Sequence, residues 1–235
     1  MGADRLSSTP DSSPTPHVPK PSFRHITIRH RDRLPHWETE GGTYFVTTRL
    51  CDSLPQKLLL RLKHERDELE RMAEERGTEL TRAELRRLQD LQHKKVEHWL
   101  DKGIGACWLR RKEIAELVRD SFHFFDHDRY RLFSWCIMPN HYHIVFKIGM
   151  NHSLDAICHS WKSYTSHEAN KLLCRNGPFW QREYHDHLVR NDDELKRCIE
   201  YVLNNPRKAR LKNWPWVWVA HEYRHLMPAE YDNGD

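Results

Sequence analysis

Residues 135–146, Trp135-Cys136-Ile137-Met138-Pro139-Asn140-His141-Tyr142-His143-Ile144-Val145-Phe146, constrain this chain more than any other stretch. The residues on either side of Pro139-Asn140 are apolar and β-prone, which predicts two strands, over 130–138 and 141–147, joined through that dipeptide. Successive strand residues point to opposite faces, so His141 and His143 project side by side from one face. Two neutral imidazoles on a rigid surface supply two thirds of a divalent-metal site. A solvent-facing half-buried strand shows the same pattern, so this pair alone assigns no chemistry.

Residues 192–206 carry the second constraint. Asp192, Asp193 and Glu194 suit the first turn of a helix, where negative charge complements the dipole. Leu195, Ile199, Val202 and Leu203 recur at helical spacing, so one face meets a core. Tyr201 and Asn205 stand four residues apart and share a face. Pro206 disfavours helical geometry at the residue before it, which predicts Asn205 at or just past the helix end. A tyrosine here can be a nucleophile, and an amide oxygen one turn on can be a third metal ligand. An ordinary helix ended by Asn-Pro fits the same residues.

Three motifs in order narrow these alternatives: Met138-Pro139-Asn140-His141-x-His143, Phe179-Trp180-Gln181-Arg182, and Tyr201-x-x-x-Asn205-Pro206. Together they resemble the REP-associated tyrosine transposases, single-tyrosine members of the HUH (His-hydrophobic-His) nuclease superfamily. The resemblance runs roughly over 41–216. It implies that His141 and His143 are the metal pair, with Tyr142 where the family prefers a hydrophobic residue. It implies Tyr201 as the nucleophile and Asn205 as the third ligand, with Asn204 a competing amide. Related insertion-sequence transposases use glutamine at that third place.

The implied partner is single-stranded, hairpin-forming repeat DNA, and the implied cofactor is Mg²⁺ or Mn²⁺. A phenol of pKa about 10 is a poor nucleophile at neutral pH and must be activated or positioned. The resemblance implies attack of Tyr201 on phosphorus, a 5′-phosphotyrosine linkage and a released 3′-hydroxyl able to reverse or complete the joining. Two other functions share many of the same residues. One is a non-catalytic RRM-like nucleic-acid-binding regulator; the other is a phosphodiesterase whose metal activates water.

Charge supports a DNA partner only locally. The net charge of +4 is mild. Between 195 and 212, however, six basic residues (Lys196, Arg197, Arg207, Lys208, Arg210, Lys212) face Glu200 alone. They flank Tyr201, where a phosphate backbone would have to lie. Arg182 and His187 are further candidates to approach the phosphate, although His185-Asp186-His187, with an acidic middle residue, reads first as structural. Tyr164 is a rival nucleophile without an accompanying amide motif; Trp161 and Leu172 point it toward packing.

The rest is organisation. Residues 1–22 are rich in Ser, Pro and Thr and predict a disordered tail. Arg24-His25 and Arg29-His30-Arg31 read as a flexible basic extension of it. A single domain over 23–235 follows, with a first strand at 43–48 and an inserted helical hairpin over about 54–101, turning near Gly77-Thr78. Between 57 and 102 the 12 basic and 11 acidic residues predict a solvated, charge-laced helical pair rather than a DNA groove. Helices over 111–125 and 154–173 and a strand near 180–189 complete the plan. The fold class is α+β, a ferredoxin-like or RRM-like antiparallel sheet with helices on one face.

Trp214-Pro215-Trp216-Val217-Trp218 could stack unpaired bases but reads better as packing. The six cysteines form no CxxC pair, and no apolar run has signal-peptide or transmembrane length. Cys136 and Cys198 read as small buried residues. A reducing cytoplasm and no membrane association are therefore expected. Protein partners are not specified by the sequence.

Overall fold

Apolar alternation on both faces of the runs beginning at Thr43, Tyr130 and His141 makes them interior strands rather than surface ones. A computed structural model describes residues 27–31 and 34–231; the tail expected over 1–22 lies outside the described residues. The first described elements are β1 (Thr27–Arg31) and β2 (Leu34–Glu38), an antiparallel pair with Thr27 opposite Glu38. This corrects the reading of Arg29-His30-Arg31 as flexible. Basic residues interleaved with few apolar ones hid a strand signal that pairing supplies.

The main sheet contains β3 (Thr43–Arg49), β4 (Tyr130–Ile137), β5 (His141–Ile148), β6 (His185–Val189) and β7 (Val217–Val219). Its order is β6-β3-β5-β4-β7, with every neighbouring pair antiparallel. Four helices accompany it: α1 (Gln56–Glu75) and α2 (Arg82–Leu100) in the insertion, α3 (Lys112–His123) and α4 (Leu154–Leu172). A fifth, α5 (Asp192–Lys208), carries Tyr201. The α+β antiparallel sheet is as expected. Helices lie on one face only for α3 and α4, because α5 packs on the other.

The strand period explains that split. Tyr44, Val46, Ile144 and Phe146 point to the α3–α4 side, where they join Phe122 and Trp161. Trp161 sits edge-on to Tyr130 and Phe146, each at 5.0 Å between ring centroids, and its indole N–H donates to the Tyr130 hydroxyl at 2.9 Å. Phe45, Phe133 and Val145 point the other way, onto Leu195, Ile199, Val202 and Leu203 of α5. His141 and His143 share the parity of Val145, so they face α5. Tyr164 belongs to α4, across the sheet, and is 54% exposed rather than packed. Both facts remove it as a rival to Tyr201.

The Trp-rich segment packs as expected. The Trp214 indole donates to the Ile137 carbonyl at 2.7 Å, and Trp218 stacks on Trp135. Cys136 is buried, Cys198 is half-buried, and all six cysteines are free. No described helix is long and apolar enough to cross a membrane.

The insertion is a helical hairpin laced by ion pairs such as Arg66–Glu70 within α1 at 2.7 Å and Lys95–Glu65 between the helices at 2.7 Å. Thr81 and Glu84 form a reciprocal capping box that starts α2. At the base, the Ala106 N–H donates to Asp52 Oδ2 at 2.8 Å, drawing the two ends of the insertion together. Gly105 permits this approach: it has φ +93°, and a Cβ there would lie 2.6 Å from the Asp52 carbonyl oxygen. Gly105→Ala is therefore expected to destabilise the protein by about 1–3 kcal/mol, combining backbone strain with a clash against main chain. Urea unfolding with an unchanged midpoint would refute that account of the glycine.

Candidate active site

Burial and hydrogen bonding hold the two histidines neutral. The Asn140 amide nitrogen donates to the Ile104 carbonyl at 3.0 Å, which turns Asn140 Oδ1 toward His141. That oxygen lies 2.7 Å from His141 Nδ1. His141 Nδ1 therefore carries the proton and Nε2 the lone pair. His143 Nδ1 lies 2.8 Å from Thr47 Oγ1, and its ring stacks on Phe45 at 5.5 Å. The two Nε2 atoms are 3.1 Å apart and both rings are fully buried. Burial lowers His141 to about 3 and holds His143 well below the usual histidine range. Both rings are thus neutral, the protonation state that ligates a metal.

Tyr142, between them, points to the opposite face and packs edge-on against Phe122 at 4.9 Å and Trp180 at 5.2 Å. The middle position of the motif is a core position here, which explains why an aromatic ring fits it.

Across from the pair, α5 presents Tyr201 and Asn205. The Tyr201 ring meets His143 edge-on at 5.5 Å and Phe45 at 5.6 Å. Lys208 Nζ lies 4.0 Å from the Tyr201 ring centroid. Burial first, then the Glu97 carboxylate, raises the phenol well above its ordinary range. The Tyr201 phenol is therefore held protonated.

Asn205 is buried, and its Oδ1 has no hydrogen-bond partner among the described residues. Asn204 is half-buried, and its amide nitrogen donates to the Glu200 carbonyl at 2.7 Å. The helix does not end at Asn205 as Pro206 had suggested; it continues to Lys208 with the proline inside. Buried Asn205 and Pro206 anchor this last turn. The Asn205 and Pro206 carbonyls accept from Ala209 at 3.0 Å and Leu211 at 2.9 Å. Packing overrides the local preference against helix before proline.

Glu97 of α2 completes the surroundings, and sequence reasoning missed it. The Tyr201 hydroxyl donates to Glu97 Oε2 in a short hydrogen bond, and that oxygen lies 3.7 Å from His143 Nε2. Burial raises Glu97 to about 7. Asn140 and Thr47, which orient the two histidines, were also missed as site residues. Asn140 stood inside the quoted motif, whereas Thr47 and Glu97 come from distant segments whose register and docking no local pattern encodes.

The remaining candidates divide. Lys196, Arg197, Arg207, Lys208, Arg210 and Lys212 are all exposed along and beyond α5. Arg182 is exposed, and its carbonyl accepts a short hydrogen bond from Lys162. His187 Nε2 lies 2.9 Å from Glu194 Oε1, and His185 stacks on His93 at 3.7 Å. Both histidines of that second pair are engaged by protein side chains, in keeping with a structural role.

A family model described as "Transposase IS200 like" matches residues 108–205. The matched segment contains His141, His143, Tyr201 and Asn205 but excludes Thr47 and Glu97. The chain is 26% identical over 105 residues to a Haemophilus influenzae protein assigned as a REP-associated tyrosine transposase. It is 20% identical over 103 residues to the REP-associated tyrosine transposase of Escherichia coli. These alignments cover 39% and 42% of this chain, and each spans 60% of the relative's length. A solved structure of a REP-associated tyrosine transposase bound to a REP hairpin aligns at 17% identity with a TM-score of 0.49. That alignment covers 88% of this chain and 92% of that one.

Proposed function

We infer that this protein is a metal-dependent endonuclease and strand transferase acting on single-stranded DNA at hairpin-forming repeats. One observation carries the reading: a neutral, buried histidine pair meets Tyr201 of α5, and one helical turn on the same helix carries a buried, unpartnered Asn205 oxygen. The donor set fits a divalent ion. The neutral His141 and His143 rings bring their Nε2 atoms together, and the buried Asn205 amide oxygen has no hydrogen-bond partner among the described residues. Among the described residues no three His, Cys, Asp or Glu side chains form a ready cluster, which suits a third ligand that is an amide. The alignment of relatives named for REP-associated transposition supports the hairpin substrate.

In this reading His141, His143 and Asn205 hold Mg²⁺ or Mn²⁺, which when bound polarises the scissile phosphate and offsets developing charge. Tyr201 Oη attacks phosphorus, and the bond from phosphorus to the 3′ oxygen breaks. The phenol proton lost on attack is balanced by one taken up by the leaving oxygen. The products are a 5′-phosphotyrosine linkage and a free 3′-hydroxyl. Attack of a 3′-hydroxyl on that linkage restores the phenol, so joining needs no outside energy source. The phosphoester bond is conserved in the covalent intermediate, which separates this chemistry from hydrolysis.

The deciding experiment is a denaturing gel of the protein with end-labelled hairpin DNA carrying single-stranded flanks, in Mn²⁺, Mg²⁺ or EDTA. A metal-dependent, protease-sensitive shifted band is expected. Cleavage with no adduct at early times would favour the water-activating phosphodiesterase, and binding without cleavage the non-catalytic regulator.

The basic cluster sets the affinity. Lys208 borders Tyr201, so Lys208→Ala is expected to weaken DNA binding and flatten the salt dependence. The slope of log K against log salt should fall by about 0.7, the value for one phosphate contact on a single strand. An unchanged slope would place Lys208 outside the DNA path.

A further inference from the structure

We propose that the cleft between the inserted helical hairpin and β3 is the channel for the single strand that flanks the DNA hairpin, and that Arg49 grips one of its phosphodiesters. This rests on the single-stranded DNA reading above. In the β3–β5 register Arg49 stands opposite His141, as Thr47 stands opposite His143. Directly opposed residues of an antiparallel pair project from the same face, with Cβ atoms about 5 Å apart. Arg49 therefore leaves the sheet beside the histidine pair, on the face that α5 packs against.

Two cavities of about 160 and 380 Å³ meet at Arg49. The smaller reaches inward to Thr47, the residue 2.8 Å from His143 Nδ1, and the larger runs along α1. The larger is balanced in charge: Lys63 and Arg66 line it with Asp67 and Glu70, and Arg66 pairs with Glu70 at 2.7 Å. Arg49 is not balanced. Its Nη1 donates to Ser53 Oγ at 3.4 Å, and among the described residues it forms no ion pair. Glu183 lines both cavities as well, without pairing with this guanidinium. Arginine keeps its charge when half-buried, and a planar fork of donors left without an anion suits a phosphate.

The same cleft gives the Phe179-Trp180-Gln181-Arg182 motif a role. Phe179 and Trp180 are buried in the core, and the Gln181 N–H donates to the Arg49 carbonyl at 2.8 Å. That pairing sets Gln181 in the wall of the cleft next to Arg49, while Gln92 of α2 lines it from the insertion. A phosphate held by Arg49 then has two amides nearby for the sugar or base of its nucleotide. The nearly neutral outer surface of the insertion is not the DNA groove; its inner side is one wall of it.

The test is fluorescence anisotropy of the full chain in EDTA, which reads binding without cleavage, on a bare DNA hairpin and on the same hairpin with single-stranded flanks. Arg49→Gln should weaken binding of the flanked hairpin by about 10-fold, the scale of a charge-assisted hydrogen bond. Its slope of log K against log salt should fall by about 0.7, one phosphate contact on a single strand. Affinity for the bare hairpin should not change. Gln92→Trp leaves Arg49 in place and fills the cleft, and it should weaken the flanked hairpin selectively too. Melting temperatures identify folded protein, and Gln92→Trp decides should Arg49→Gln fail to fold. Wild-type affinity and slope on the flanked hairpin in folded Arg49→Gln would overturn the proposal, as would equal weakening on both DNAs. A metal-dependent adduct in wild type would leave the nuclease reading standing in either case. Selective weakening with no adduct in wild type would keep the channel and overturn the nuclease reading. Failure of wild type to bind either DNA would overturn the single-stranded DNA reading, and this inference with it.

Discussion

Tyr201→Phe is expected to abolish the covalent protein–DNA adduct while leaving hairpin binding within a few-fold of wild type. The substitution removes one oxygen from a ring whose packing stays in place: the edges toward His143 and Phe45 and the face under Lys208 do not involve the hydroxyl. The basic residues flanking it are likewise untouched. Loss of the attacking oxygen should reduce cleavage by about 10³-fold or more, the scale seen when a covalent nucleophile is removed. The folded state also loses the hydrogen bond to Glu97, leaving a buried acceptor unsatisfied at a cost of about 1–3 kcal/mol. Melting in EDTA separates that structural cost from the chemical one. An adduct of wild-type yield in Tyr201→Phe would move the nucleophile to another residue. Tyr164 is a poor substitute, since it lies on the far side of the sheet.

How much of this site was readable follows from the range over which each signal acts. The His141–His143 pair was legible because strand alternation is a local rule, and Pro139-Asn140 marked where the strand begins. The Tyr201–Asn205 pairing was equally local, one helical turn. The same local reasoning misplaced the helix end, because burial of Asn205 and Pro206 outweighs the proline's preference. The β1–β2 pair escaped notice because its strands contain few apolar residues.

The partners that tune the histidines could not be read at all. Thr47 reaches His143 only because β3 and β5 pair in the register that sets those two residues opposite each other. Glu97 arrives on a helix whose composition predicted solvent, and most of its charges do face solvent. A single inward carboxylate among 11 acidic residues leaves no mark in a charge count. The single face expected for the helices failed for a related reason. Alternation shows that both faces of β5 are apolar, but topology decides which helix covers each.

The largest effect beyond the nucleophile is expected from His143. His143→Ala should eliminate Mn²⁺ binding in an EPR titration and, with it, adduct formation in any divalent ion. The ring is fully buried, stacked on Phe45 and bonded to Thr47, so its loss also opens a cavity and strands the threonine hydroxyl. That structural cost means activity loss alone proves nothing about ligation. Thr47→Val separates the two effects. It keeps the side-chain volume and the stack but removes the oxygen 2.8 Å from His143 Nδ1. A ligating imidazole without its orienting partner typically loses about 10–100-fold in metal affinity. Thr47→Val should therefore weaken Mn²⁺ binding by that factor, and saturating Mn²⁺ should restore much of the cleavage. His143→Ala should stay inactive at any metal concentration. If Thr47→Val bound Mn²⁺ as wild type does, the Thr47–His143 contact would be a packing feature of the sheet, and the metal would have to be held through other atoms.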